Sequence, residues 1–435
     1  MTDAAPAAGP SGLAVGRLVR ITLLGALVGV PVGLLAFAFI WLVHQLEHLL
    51  WHDLPAALGQ GSPPWYLLIG LPVLGALGVH FARTLPGDGG HSPIHDGVGL
   101  GGHPNEALGV GLAAGASLAF GAVLGPEAPL LALGGALAVW LTSRVRLDPA
   151  GRGLVGAAGS AAALSTLFGG PLVSGLMLLE SGAGAGLAIV PIMLPALAAS
   201  SVAYLLITGL GTWSGLPIAG LVIGDLPTYN AVVPSDLPAA VVVGVVMAVL
   251  ALGMRRLAGA VSGLEGRVGR LPLLVGSGLA IGLLAWGAGL AGANPLDVLF
   301  SGQASITPLL EASGGTLVAL ALAKALAYVV SLGGGFRGGA IFPAVFIGVA
   351  VADVGVFAFG MSPTVAIAIG TAAGTAAMTR LLVSSVLFAG LLVGRAGLET
   401  IPVATIAAVA AWLASAGLDR WLAGRAAVPA GELPA

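Results

Sequence analysis

The chain has 435 residues, of which 57% are hydrophobic and only 8% charged, with a mean hydropathy of +1.05. Soluble domains carry about 25% charged residues, so a soluble fold is excluded and an integral membrane protein is implied. A net charge of -2 leaves no basic field for nucleic acid, and the absence of cysteine removes disulfides, thiolate catalysis and thiolate metal sites together.

Residues 1–16 lack a basic n-region and read as a short disordered tail, not a cleaved signal. Apolar runs at 18–46, 65–79, 187–210 and 239–257 are long enough, or nearly so, for the roughly 20 residues of a spanning helix. The first ends in HQLEHLLWH, residues 44–52, which contains HxxEH, a zinc pattern of some metalloproteases. Helical spacing puts His44, His48 and His52 near one face, but beside Trp51 this is where amphipathic side chains mark a membrane interface. A membrane-embedded zinc hydrolase using His44 and His48 is therefore kept only as an alternative of another class. His91, His95 and His103 read as loop residues. GVGLGG at 97–102 fits GxGxxG but has no preceding strand, so no nucleotide site is assigned. Arginines gather at 17 and 20, at 144, 146 and 152, at 255, 256, 267 and 270, and at 420 and 425. By the positive-inside rule these are cytoplasmic ends, which places both termini inside.

With 71 glycines and 28 prolines, the chain calls for helices that break inside the protein, where irregular backbone is buried or lines a wet cavity. It also repeats. Gly125, Pro129 and Gly134 in GPEAPLLALG recur as Gly339, Pro343 and Gly348 in GAIFPAVFIG, and 339 minus 125 is 214. The same offset carries Gly156 onto Gly370 and Leu167 onto Leu381. Two halves, 17–217 and 218–422, are expected to share one architecture, with a site lined by the ends of broken helices. A short tail follows at 423–435.

A glycine and proline before an apolar run start a helix, and the free N–H groups there, at the positive end of the helix dipole, suit an anion. Glu127 stands in the first such head, but it maps to Ile341 in the second, and Glu180 maps to Gly394. The acids are not a requirement of the shared fold. At a helix head Glu127 would act as a switch, occupying the anion site when ionised and leaving it when protonated.

These residues resemble the CLC family of chloride channels and proton-coupled chloride antiporters. GPEAP at 125–129 looks like the family's G(K/R)EGP, and GGGFRGGAIFPAVFIG at 333–348 looks like its GSGxPGGxFxPxxxxG. The stretch 156–180 resembles the helix pair that follows the first motif. The resemblance implies an all-α membrane protein built as an inverted repeat with broken and tilted helices, and a homodimer with one pore in each protomer. It makes Glu127 the gate and gives anion coordination to the N–H groups of Ala340 and Ile341, with Pro126 and Ala128 beside them. Gly125, Pro129, Gly338, Gly339 and Pro343 fall on motif positions. Gly90, in GGHSPIHDG, falls where the family has its coordinating serine. Pro126 replaces a basic residue and Ala128 a glycine, while Ile341 replaces phenylalanine. Ser181 falls where antiporters carry an internal proton glutamate, although a one-residue slip would make Glu180 that group. The final segment has no tyrosine for the family's inner gate and no room for cytoplasmic CBS domains.

The expected function is therefore passive or loosely proton-coupled transport of chloride or a similar small anion across the plasma membrane, with neither enzymatic turnover nor a cofactor. Strict proton/anion antiport, of chloride or fluoride, is the alternative. A broken-helix symporter for a larger organic solute is a further one. Arg337 is either a vestibule charge that concentrates anions or an arginine paired with an acid. Lys324, the only lysine, is expected to snorkel or to pair at a helix end.

Overall fold

A computed structural model of the chain describes residues 15–90, 102–182, 189–214, 223–224, 226–312 and 314–426. Among these the elements are helices, with one isolated bridge between Gly125 and Gly339. The long helices are α1 Val15–His48, α2 Trp65–Ala82, α3 Ala107–Leu118, α4 Glu127–Leu141, α5 Pro149–Phe168, α6 Pro171–Gly182 and α7 Ile189–Ser214. They continue as α8 Asp236–Ser262, α9 Arg270–Leu290, α10 Gly314–Gly333, α11 Ile341–Phe359, α12 Pro363–Thr379, α13 Val383–Val393 and α14 Ile401–Ala426. The four expected spans all fall on helices. Seven helical stretches among the described residues are long and apolar enough to cross a membrane, whereas α4, the apolar part of α11 and α12 are shorter. Those short helices are the broken ones that the glycine and proline content calls for.

The chain forms two compact units. One comprises residues 1–39, 99–107 and 130–219 and the other 40–98, 108–129 and 220–435, so the boundaries cut across the sequence halves. In the first unit, Gly25, Gly29 and Gly33 of α1 lie against Pro195, Ala199 and Ala203 of α7, two matched rows at a spacing of four. Small residues let backbones approach where lipid supplies no hydrophobic drive. Asp148 caps α5 by accepting the Gly151 N–H at 3.1 Å, and it pairs with Arg17 at 2.5 Å. Its carboxyl is held below the usual range, first by that N–H. Gly169, at a φ of 68°, ends α5, and Pro171 opens α6.

In the second unit, α2 packs on α9, α8 on α14 and α11 on α12. Helix α12 is apolar all round and buried from Thr364 to Ala377, as such a helix must be. The repeat reappears as packing within each unit. A side chain at Gly134 would meet the Gly159 carbonyl at 2.6 Å, and one at Gly348 would collide with the Gly370 carbonyl. Both copies therefore use the same glycine to seat the broken helix on the next one.

Candidate functional site

The two glycines matched by the sequence repeat touch each other. The Gly125 N–H donates to the Gly339 carbonyl at 2.8 Å and the Gly339 N–H to the Gly125 carbonyl at 2.5 Å. Around this bridge the contacts are reciprocal. The Val123 N–H donates to Ser331 Oγ at 2.9 Å, and the Arg337 N–H donates to Ser117 Oγ at 2.9 Å. Ser117 and Ser331, like Val123 and Arg337, are partners at the repeat offset, and each serine hydroxyl donates back to its own helix, to Ala113 and Ala327. Gly121 and Gly335, also partners, both take a φ of 94°, which only glycine adopts without strain. When residue i meets j and the counterpart of j meets the counterpart of i, a two-fold relation is implied.

Glu127 breaks that symmetry. It is the first residue of α4, with Pro129 third, while Ile341 is the first residue of α11, with Pro343 third. The Glu127 carboxylate lies over the bridge, so that a side chain at Gly125 or Gly339 would collide with it. Glu127 Oε1 accepts the Phe342 N–H, at the head of the other broken helix, at 2.9 Å. The Glu127 and Ile341 N–H groups also act on this carboxylate, Oε2 is buried with no other partner among the described residues, and the residue is only 2% exposed. A carboxylate thus lies at the N-terminus of α11, where free N–H groups and the helix dipole favour negative charge. Ala340 precedes α11, and its carbonyl accepts the Tyr328 hydroxyl of α10 at 2.7 Å, which fixes the turn into the helix.

Beside this site is a charged cluster. Arg337, 6% exposed, donates to the Asp88 carbonyl at 3.0 Å and to Asp88 Oδ2 at 2.8 Å. Arg83 and Arg270 reach the same carboxylate at 2.9 and 3.1 Å, and Glu265 lies 3.3 Å from Arg270. Burial alone would raise the Asp88 carboxyl, but the Arg83 hydrogen bond and the charges of Arg83, Arg337 and Arg270 outweigh it and hold it below the usual range. Of the two readings of Arg337, this pairing supports the arginine matched with an acid.

The remaining expected residues lie as follows. Gly90, at a φ of 95°, packs on Val110 of α3, and its N–H donates to Gly87. Pro126 and Ala128 flank Glu127 and are half-buried. Gly338 packs on Leu124, where a side chain would come within 2.6 Å of it. Glu180 and Ser181 lie on α6 in the other compact unit, and the Ser181 hydroxyl donates to the Met177 carbonyl of its own helix at 2.5 Å. His91, His95 and most of 97–102 lie outside the described residues, as do 1–14 and 427–435; His103 is exposed. His48 pairs with Asp53 at 3.2 Å and stacks on His52, and no group of three or more metal-ligating side chains occurs among the described residues. Lys324 does not snorkel, and among the described residues it forms no salt bridge. It is fully buried, donating to the carbonyls of Asp297, Val298 and Leu299 at 2.8, 3.3 and 2.8 Å, because the short helix 295–298 leaves those acceptors orphaned there. Phe342, Tyr328 and Asp88 carry no signal in the sequence that marks them for this site. A backbone donor carries no letter, and Tyr328 offers only a polar tip in an apolar run.

Over residues 103–415 the chain matches the family described as voltage gated chloride channel. The chain belongs to this CLC family. It is accordingly a multi-pass membrane protein of CLC anion transport. YfeO of Escherichia coli O17:K52:H18 (strain UMN026 / ExPEC), which carries an ion-transport name, is 30% identical over 353 residues, 77% of this chain and 78% of its own length. YfeO of Shigella boydii serotype 4 (strain Sb227) is 30% identical over 348 residues, with the same coverage. Among solved structures, a slow cyanobacterial Cl-/H+ antiporter aligns with a TM-score of 0.72 at 18% identity, covering 94% of this chain and 98% of the other. A CLC-type fluoride/proton antiporter aligns at 0.69 and 19%, covering 93% and 97%. At such identities the likeness is one of fold, and the fold is that of CLC transporters.

Proposed function

We propose that this CLC protein moves chloride or a similar small anion passively or with loose proton coupling, and that Glu127 is its gate. The observation that carries this reading is the hydrogen bond from the Phe342 N–H to Glu127 Oε1. The carboxylate stands in for a mobile anion, which would take the same place at the N–H groups of Ala340, Ile341 and Phe342, with Pro126 and Ala128 closing the other side. A hydrogen bond to a charged acceptor contributes about 1.5–3 kcal/mol and a helix dipole at most about 2 kcal/mol. An acid at the bilayer centre costs about 2.5–3.5 kcal/mol on insertion scales. The terms nearly cancel; protonation removes the charge-burial cost together with both favourable terms, so the neutral acid competes for the helix-head N–H groups less strongly than a mobile anion does.

Tight coupling needs a second proton acceptor. Ser181 has no carboxyl and its hydroxyl is engaged with its own helix, which supports loose coupling or none; Glu180, beside it, is the group that strict antiport would require. We further assign the sequence halves 17–217 and 218–422 to an inverted repeat. The protein is read as a homodimer with one pore per protomer, in the plasma membrane with both termini cytoplasmic, and with no enzymatic turnover.

The test is anion efflux from liposomes holding the purified protein, with chloride and fluoride compared and external pH recorded. Wild type should show flux that rises with acidity, and Glu127→Gln should transport at a rate independent of pH. A Glu127→Gln protein with wild-type flux and wild-type pH dependence removes the gate assignment. Proton movement against the anion in fixed ratio replaces loose coupling with strict antiport.

A further inference from the structure

The pair of Asp88 and Arg337 stands on one side of the two-fold frame only. At the offset of 214 their counterparts are Gly302 and Val123, which cannot form an ion pair. The turn 335–340, which leads into α11, is held at several points. The Gly335 carbonyl accepts from Arg83 Nη1 at 3.4 Å, the Arg337 N–H donates to Ser117 Oγ, and Gly339 bridges to Gly125. The serine and glycine contacts have equivalents at the head of α4, in Ser331 with Val123 and in Gly125 itself. The tether from Asp88 to the Arg337 side chain has none. It is added only at the head whose Phe342 N–H holds Glu127.

Asp88 is fixed in an unusual backbone. Residues 87–90 take φ values of 87°, 48°, 74° and 95°, and of these four only Asp88 is not glycine. A left-handed residue with a side chain persists where its surroundings over-determine it, and such positions cluster at functional sites. Here the surroundings are two buried arginines. A side chain at Gly89 would come within 3.0 Å of the Arg83 stem and 3.5 Å of the Arg337 stem, so both pack on this turn. Their guanidiniums meet the Asp88 carboxylate at 2.9 and 2.8 Å, and Arg337 also donates to the Asp88 carbonyl at 3.0 Å. Arg270 and Glu265 complete the cluster where it is more exposed.

We propose that Asp88 is a positioning residue that sets the anion selectivity of the α11 head, acting through Arg337. The proposal rests on an anion being taken at the N–H groups of Ala340, Ile341 and Phe342. Asp88 touches no anion. By holding Arg337 it holds the turn three residues before Ala340, so the N–H groups are spaced before the anion arrives and need not be ordered by it. A head held to a fraction of an ångström discriminates by size and shape, whereas a slack one follows whatever enters.

The experiment is initial efflux of chloride and of nitrate from liposomes over a range of anion concentrations. The proteins are wild type, Asp88→Asn, Arg337→Met, the Asp88→Asn/Arg337→Met pair, Glu265→Gln and Glu127→Gln, the last also against pH. Asparagine tolerates a left-handed backbone, so Asp88→Asn removes the charge and leaves the turn. It should raise KM for chloride about fivefold, as residues do that modulate a site without touching its ligand. The chloride-to-nitrate ratio of kcat/KM should move toward one while the saturated rate stays close to wild type. Partial unfolding would instead lower the saturated rate and leave KM and the ratio alone. The double variant should match Arg337→Met. Glu265→Gln takes an equal charge from the cluster without freeing Arg337 and should keep the wild-type ratio. Wild-type KM and ratio in Asp88→Asn overturn the proposal, and so does an equal change in Glu265→Gln, which would mark an effect of net charge. Either result beside a pH-independent Glu127→Gln strikes the positioning role alone. A Glu127→Gln protein with wild-type pH dependence removes the site reading itself, and the role of Asp88 goes with it.

Discussion

The two broken-helix heads share a frame and differ in their chemistry. Both have a glycine at a φ of 94°, a serine that accepts an N–H from the other copy, a bridging glycine, a proline third in the helix and a glycine seated on the next helix. At the same offset, however, Glu127 faces Ile341, Val123 faces Arg337, Val110 faces Lys324 and Ala114 faces Tyr328. Glycine, serine and proline are kept where backbones must meet. Residues with a charge or a phenol appear on one side only. One copy supplies the acid and the other the N–H that holds it, so a two-fold frame carries a one-sided contact.

If the frame is shared, equivalent glycines should fail equally. Gly134→Val and Gly348→Val each force a side chain into a facing backbone, an overpacking that costs about 1–3 kcal/mol or more. Thermal melting in detergent should show similar losses for both, and a silent variant at either position would break the equivalence. On the one-sided layer, Lys324→Met strands the carbonyls of Asp297, Val298 and Leu299 at about 1–3 kcal/mol for an unsatisfied buried group. The same melting assay should show a clear loss, and a melt equal to wild type would mean that those carbonyls find other donors. The smallest effect concerns Asp88, which faces Arg337 and so also belongs to the unsymmetric part. Its folded pKa lies below the usual 3.8, so the stability it contributes is present above that value and fades as pH falls through the folded one. Asp88→Asn should therefore melt below wild type at neutral pH and converge with it in acid below about pH 4. Added salt should shrink the gap, because the carboxylate is half exposed. A gap that persists unchanged in acid would rule out the ion pair as its source.

Much of this is legible in the sequence. The apolar runs marked the spans because hydrocarbon admits little else, and the glycine and proline spacing marked the broken helices because only those residues suit a tight approach and a first helical turn. Glu127 stood out as an acid where an acid is expensive. The HxxEH segment was visible too, but its letters fit a metal as well as the side chains of a membrane interface. The cavity shared by His44, Glu47 and Pro126 places it beside the head of α4. Lys324 shows the opposite failure. A lone lysine in an apolar helix reads as a snorkelling residue, and three backbone carbonyls from another segment keep it inside.

The sequence by itself determined that this is a membrane protein, that its two helix heads repeat at a fixed offset, and that one of them bears an acid. Side-chain volume, backbone freedom and transfer cost are properties of single residues or short patterns, and these can be read along a chain. The tertiary structure alone decided that the acid of the first head is held by the Phe342 N–H of the second, 215 residues away, and that Asp88 holds Arg337 across 249. Every residue but proline carries an N–H. Which one is left free, and what is brought to it, depends on where the fold ends a helix and what it packs there.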